Sequence, residues 1–375
     1  MYPMTPQTKR HAICHVIHSF SHIGGAENGI INIVNRLVDQ SVFHVICSLT
    51  NIGDIKKRVK SDNVIFHELN KREGNDIMVP FKLAKIFMKE KISVVHLRGW
   101  ATMAEGILGA RMAGVNKVIY SEHGRHFDDV WQHKKLKYTI KRFLFSRVDS
   151  VMAVSRELGR EITELYRLCR PVEVVTNGVD LSRFCPKERG ELRARLGWGE
   201  EEKVVGVVGR LCEGKGIERM VGEFLDTRLS ARLVIVGDGP LRECVESILC
   251  KHDYKSNVSL LGPRDDVAEL LNCFNVLALP SASEGMSNVL LEGMASGVSV
   301  VAFRVGGNHE LIDSGHGGFL VEHDDWKGFF SSIRCLIDDP CLADKMGIYN
   351  RHKTVNQFSL EQMISNYKKL YGISI

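Results

Sequence analysis

Short, continuously apolar runs alternate with helix-period stretches from His11 almost to the end of the chain. Runs such as "HAICHVIHSF", "ISVVHLRG", "KVVGVVGRL", "ARLVIVGDG" and "VLALPS" are apolar at successive residues rather than at every second one. A strand of that kind has no face for water, so it belongs in a parallel sheet covered by helices on both sides. The stretches between them, for example "AENGIINIVNRLVDQ" and "RELGREITELYRL", repeat apolar residues at helical spacing, as crossover helices do. The fold class is therefore α/β.

The alternation pauses once, at "DLSRFCPKERGELRARLGWGEEE" (180–202), which is charged and carries Pro186 and three glycines. A chain of 375 residues exceeds one ordinary core. The pause therefore reads as a junction between two doubly wound, Rossmann-like domains, 1–185 and 186–355. Ligands in such sheets bind at the carboxyl ends of the strands, where the strand order reverses. Two of them would present their ligand edges to a common cleft.

Several function classes drop out. No run of about 18 apolar residues is present, so no transmembrane helix is expected. The N-terminal "MYPMTPQTKRHAICHVIHSF" lacks the apolar core and small-residue cleavage site of a signal peptide. The ten cysteines form no CxxC pair, which argues against zinc, and they read as reduced thiols of a cytosolic core. A net charge of +5 is too mild to imply nucleic acid. It is unevenly placed, however. The segment "WQHKKLKYTIKRFLFSR" (131–147) has six Lys/Arg, no acid, and interleaved aromatic and aliphatic residues. As a helix it could rest on an anionic membrane or face an anionic acceptor; it could equally be a solvated face over the domain core.

Candidate chemistry gathers where strands end. Gly24 and Gly25 in "HSFSHIGGAEN" separate the first strand from the first helix, and adjacent glycines let backbone approach a phosphate at a helix N-terminus. Their spacing is not GxGxxG, which disfavours a nicotinamide cofactor. "SEHGR" places Glu122, His123 and Arg125 at the end of another strand. In the second domain, "GRLCEGKGIER" sets Arg210 and Lys215 in a glycine-rich turn ahead of a helix, an anion site suited to a diphosphate. "SASEGMSNVLLEGMASG" (281–297) carries two acids, Glu284 in a loop and Glu292 inside a helix that Ser287 or Asn288 would cap. Eight residues of helix span about 12 Å, against the roughly 5–5.5 Å between the carboxylates of a retaining glycosidase. The two acids would then act on different parts of one extended ligand, with the helix N-terminus aimed at its phosphates.

With these residues in place, the chain resembles the retaining nucleotide-sugar glycosyltransferases of the GT-B fold, glycosyltransferase family 4 (glycosyl transferases group 1). The motifs that carry the resemblance are "GGAE" (24–27), "SEHG" (121–124), "VSRELGRE" (154–161), "NGVDLSRF" (177–184), "GRLCEGKG" (209–216), "VGDGP" (236–240) and "SEGMSNVLLEGMASGVSVVAFRVGG" (283–307). They follow one another in order over nearly the whole chain. The opening segment looks most like sugar transferases of bacterial exopolysaccharide clusters.

The resemblance implies a UDP- or GDP-sugar donor and a glycan or polyprenyl-linked glycan acceptor. It implies that Arg210 and Lys215 hold the donor diphosphate in place of a metal, so that no cofactor or metal is needed. Glu292 would bind the ribose hydroxyls and Glu284 the sugar. Amides around Met286, Ser287 and Asn288 would meet sugar and phosphate, Gly25 would contact the diphosphate, and His123 would lie near the sugar. Gly262 and Arg264 would lie by the base. The segment 356–375 is similar to the helix that crosses back to the first domain. The protein is expected in the cytoplasm, peripheral on the inner face of the membrane. Two other readings remain: a GT-B sugar-nucleotide epimerase, and a non-catalytic sugar-nucleotide sensor. A phosphorylase would need a pyridoxal lysine, for which no motif is present.

Overall fold

A computed structural model of the protein describes residues 11–22, 24–38, 42–74, 76–124 and 135–373. Arg125 and the start of the basic segment, 131–134, lie outside the described residues, as do residues 1–10. The chain forms two compact units. One comprises described residues within 11–123, 135–176 and 363–373; the other comprises Gly124 and 177–362.

The first unit contains β1 (His11–Ile17), α1 (Gly25–Arg36), β2 (Val42–Ser48), β3 (Val64–Glu68), α2 (Val79–Lys89) and β4 (Val94–Arg98). It continues with α3 (Met103–Met112), β5 (Lys117–Glu122), α4 (Lys135–Phe145), β6 (Ser150–Ala153), α5 (Arg156–Tyr166) and β7 (Glu173–Val174). All its strands are parallel, in the order β3-β2-β1-β4-β5-β6-β7. The order reverses between β1 and β4, which is the ligand-binding switch point of such a sheet. β1 is buried from Ala12 to Ile17, as its unbroken apolar run requires. The run "VEVVTNGV", which reads as a full strand, keeps only two residues of ladder, because it leaves the sheet edge after Val175 pairs with Ala153.

The second unit contains α6 (Gly190–Arg195), β8 (Val204–Val208), α7 (Ile217–Thr227), β9 (Arg232–Val236), α8 (Arg242–Cys250) and β10 (Val258–Gly262). Then come α9 (Val267–Cys273), β11 (Val276–Leu279), α10 (Asn288–Ala295), β12 (Ser299–Phe303), α11 (Asn308–Leu311), β13 (Gly318–Val321), α12 (Trp326–Asp338) and α13 (Pro340–Gln357). Its parallel order is β10-β9-β8-β11-β12-β13, so its switch point lies between β8 and β11. Phe303 anchors one face of the core, edge-on to Trp326 at 5.1 Å and tilted against Phe329 at 4.7 Å.

The charged segment 180–202 lies wholly inside this second unit. Arg193 of α6 is buried, and its guanidinium donates to the carbonyls of Cys273, Gly199 and Glu202. Buried carbonyls can hold a guanidinium because it has five donors in one plane. The last helix, α14 (Leu360–Tyr371), contributes residues from Met363 onward to the first unit. There the Tyr371 hydroxyl lies 2.8 Å from Nδ1 of His96, and Lys117 Nζ donates to the Leu370 carbonyl at 2.6 Å.

Two sequence expectations change. All ten cysteines are free thiols, but only Cys14, Cys47 and Cys273 are buried. Cys244, Cys250, Cys335 and Cys341 sit on or beside helices and face solvent, because a helix buries only one stripe of its surface. In the basic segment, Lys141 is not on the solvent face. It is buried in α4, 5.0 Å over the Trp100 ring and 5.5 Å over Tyr166. Among the described residues, no helix is long and apolar enough to cross a membrane.

Candidate active site

The second unit's switch point is formed by the loops that follow β8 and β11. Backbone contacts join them: the Ala282 N–H donates to the Gly214 carbonyl at 2.8 Å. Gly216, at the mouth of α7, has a φ of 65°, and a Cβ there would collide with the Pro280 carbonyl. Only glycine allows this approach. On the other side, a Cβ at Gly306 would meet the Glu284 carbonyl, and the Gly307 N–H donates to the Gly285 carbonyl at 3.1 Å. The segment 282–285 is therefore clamped by backbone from both flanks.

This clamp brings Lys215 and Glu284 together across 69 residues of sequence. Lys215 Nζ donates to Glu284 Oε1 at 2.6 Å. Glu284 is the more buried partner, 11% exposed against 32% for Lys215. An ammonium has three donors, so this contact leaves two that can meet phosphate oxygens. Arg210 is exposed in the same loop, and its side chain makes no ion pair among the described residues. The combination offers positive charge for an anion and, against it, one fixed carboxylate for hydroxyl groups.

Beyond Glu284 the chain turns into α10. Ser287 is the N-cap, its hydroxyl accepting from the Leu290 N–H at 3.3 Å, while Asn288 is the first helical residue. The first amides of a helix have no intrahelical partner and carry the positive end of its dipole. Met286 is buried, and its carbonyl accepts from the Asn177 side-chain amide at 3.1 Å. Glu292 lies half-buried more than a turn into the same helix. Gly262 ends β10 in the left-handed region, with φ 67°, and its carbonyl accepts from the Gly237 N–H. Arg264, just beyond, is committed to Asp266 through two bonds of 2.8 and 2.6 Å. These bonds hold the Asp266 carboxyl below its usual range.

In the first unit, Gly24 is the N-cap of α1, extended at φ −135°, and Gly25 opens the helix at the switch point. His123 follows β5. Its Nε2 is 2.9 Å from Ser121 Oγ and 3.3 Å from Arg98 Nη1. Burial, and then the charge of Arg98, lower its pKa to about 3, so the ring is neutral at any working pH. Arg98 itself ends β4 and is 3% exposed.

The sequence reading singled out Lys215 and Glu284 separately and did not pair them. It left Arg98, Ser121 and Asn177 unassigned. A cation as the last residue of an otherwise apolar run, followed by glycine in "VVHLRG", is the signal that could have marked Arg98. Asn177 had no signal beyond its place in "NGVD".

Comparison with known proteins agrees with this architecture. The model described as Glycosyl transferases group 1 matches residues 202–339, and that described as Glycosyltransferase Family 4 matches 23–183. The UDP-Gal:alpha-D-GlcNAc-diphosphoundecaprenol alpha-1,3-galactosyltransferase of Escherichia coli is 30% identical over 312 residues, 79% of each chain. The N-acetyl-alpha-D-glucosaminyl L-malate synthase of Bacillus anthracis is 28% identical over 324 residues, 82% of this chain and 84% of the relative. In three dimensions the chain is similar to Anabaena Alr3699/HepE in complex with UDP and glucose. That match has a TM-score of 0.83 at 18% identity and covers 97% of this chain and 100% of that one. The two sheets, the site at the second switch point and these likenesses lead to one conclusion: the chain is a glycosyltransferase of the GT-B fold and belongs to glycosyltransferase family 4, the glycosyl transferases group 1.

Proposed function

We propose that the protein is a retaining, metal-independent hexosyltransferase. In this reading it moves a sugar from a UDP- or GDP-sugar to a hydroxyl of a glycan or polyprenyl-linked glycan. It would work on the cytoplasmic side of the membrane, in surface polysaccharide synthesis. The observation that carries the reading is the contact between Lys215 and Glu284 beside the N-terminus of α10. It sets a cation and a carboxylate where the two halves of a sugar diphosphate would need them.

In this reading Arg210 and Lys215 bind the diphosphate, and Glu284 accepts hydrogen bonds from sugar hydroxyls. Glu292 takes the ribose, and the amides of Met286, Ser287 and Asn288 serve sugar and phosphate. Gly25 contacts the diphosphate, Gly262 and Arg264 flank the base, and His123 serves the sugar. The bond between the anomeric carbon and the phosphate oxygen breaks, with its electron pair leaving on the diphosphate. Two cations stabilise that developing charge, the largest contribution a protein makes to such a step. In this reading they take the part a divalent ion would otherwise play. The acceptor oxygen bonds to the same face of the sugar, and its proton passes to the departing phosphate oxygen. The name of the Escherichia coli relative supports a nucleotide-sugar donor and a diphosphoundecaprenol-linked acceptor.

The test is a panel of UDP- and GDP-sugars, read first by thermal shift and then by turnover in chelator. One donor should stabilise the protein, and transfer should survive removal of divalent ions with the product in the donor's anomeric configuration. A panel in which no sugar nucleotide binds would end the donor assignment. An epimerase would consume the donor without an acceptor, and a sensor would release no sugar. Membrane contact would use the exposed side of α4, where Ile140 and Phe143 stand beside Arg142 and Arg147. Reversing Arg142 and Arg147 should abolish binding to anionic liposomes. Retained binding would remove α4 from the proposal.

A further inference from the structure

The centre of the first sheet holds an unusual set of buried polar side chains. His15 on β1, His44 on β2, and His96 and Arg98 on β4 are each 3% exposed or less. His15 Nε2 is 3.3 Å from His44 Nδ1, and His44 Nε2 is 3.4 Å from the Leu37 carbonyl. From α14, Tyr371 meets His96, and the Tyr367 ring lies 5.9 Å from the Arg98 guanidinium carbon. On α1, the missing Cβ of Gly29 would lie 3.6 Å from Arg98 Nη1. No carboxylate forms an ion pair with Arg98 among the described residues, and the Tyr371 hydroxyl also lies against its guanidinium. The side chains that meet this cation include the His123 imidazole, the Tyr367 ring and the Tyr371 hydroxyl.

We propose that Arg98 is a positioning residue: it fixes His123 as the neutral tautomer with its hydrogen on Nδ1, and so determines which donor His123 can offer the transferred sugar. The second half rests on the functional reading above; the first does not. The deduction comes from donor and acceptor inventory. A guanidinium nitrogen donates and never accepts. Arg98 Nη1 stands 3.3 Å from His123 Nε2, so Nε2 must supply a lone pair. A hydrogen on Nε2 would set two buried donors against each other. Ser121 Oγ has one hydrogen, which can go to Nε2 at 2.9 Å or to the Leu97 carbonyl at 3.4 Å, so it is the Arg98 contact that decides the matter. The one hydrogen of the neutral ring is left on Nδ1. The charge of Arg98 opposes protonation of His15, His96 and His123, adding to the larger effect of burial.

The test needs no variant at first. Long-range proton–nitrogen correlation spectra of the His123 imidazole in the intact chain should show the Nδ1-protonated pattern. It should not change between about pH 5 and pH 8. An Nε2-protonated ring, or titration in that window, would overturn the positioning role whatever the enzyme transfers. Arg98→Lys keeps a donor-only cation and should keep the pattern. Arg98→Met should release it, giving a mixed tautomer and a ring that takes up a proton more readily than in the wild type. If Arg98→Met does not fold, the wild-type spectrum still decides the point. In turnover assays Arg98→Met should lower kcat about tenfold, the scale of one placed hydrogen bond, with little change in donor KM. The loss should be greatest at low pH, and Arg98→Lys should restore most of the activity. A released tautomer with unchanged kcat and pH profile would refute the link to the sugar. It would also remove His123 from the proposed mechanism, while leaving the donor site of the second unit standing.

Discussion

The two sheets share one plan through their switch points: three strands run to one side of the reversal, and the rest run to the other. What they bury differs. The strands around the second reversal, "VVGVV", "RLVIV", "VLAL" and "SVVAF", bury almost only aliphatic side chains, and the polar chemistry waits in the loops beyond them. The first sheet carries three histidines and an arginine inside the strands themselves. A parallel sheet can therefore support a site in two ways. An apolar sheet is a platform whose stability is independent of the loops. A sheet with buried imidazoles couples its stability to the protons and charges of the site it supports.

The largest effect should fall on the platform side. Lys215→Ala removes the cation opposite Glu284 and should lower kcat by roughly 10²–10³. The melting of the second unit should barely move, because no core side chain is lost. A comparable loss of stability would show that this sheet is not independent of its loop.

The first unit should be the more sensitive to acid. Burial lowers the pKa of His44 to about 4 and that of His123 to about 3, and lowers His15 and His96 well below the ordinary value. The unfolded chain, with histidines near 6.5, binds more protons between those limits. Stability from these groups is therefore complete above about pH 6.5 and is lost progressively as pH falls toward 3. In the second unit Asp266 is held low by Arg264, so its contribution fades only below about pH 4. Hydrogen exchange near pH 5 should open the first unit while the second stays protected. Equal opening of both would break the contrast.

The smallest effect should be common to both units. Ser155 caps α5 and Ser287 caps α10 through the same hydroxyl-to-amide geometry, at 3.2 and 3.3 Å. Alanine at either position should cost about 1 kcal/mol, read by denaturant unfolding. Unequal costs would show that one cap also serves its site.

The sheets were legible because strands buried on both faces must be apolar throughout, and few other arrangements need that. The loop residues were legible as types in a pattern. Their partnership was not: Lys215 meets Glu284 only because β11 inserts beside β8, and strand order is a tertiary fact. Lys141 misled for a related reason. A cation in a basic run reads as solvated, yet two aromatic rings from elsewhere in the chain take it out of water. Arg98 was hidden because a strand of apolar neighbours gives no hint of what its last side chain will face.

The clamp on 282–285 also limits how such a site can change. Its carbonyls and amides are matched to neighbouring loops on both flanks, at Gly214 and Gly216 on one side and Gly306 and Gly307 on the other. One inserted or deleted residue would put every pairing out of register, whereas a new side chain at Ser283 or Asn288 leaves them intact. In this chain, the segment can vary by substitution far more readily than by a change of length.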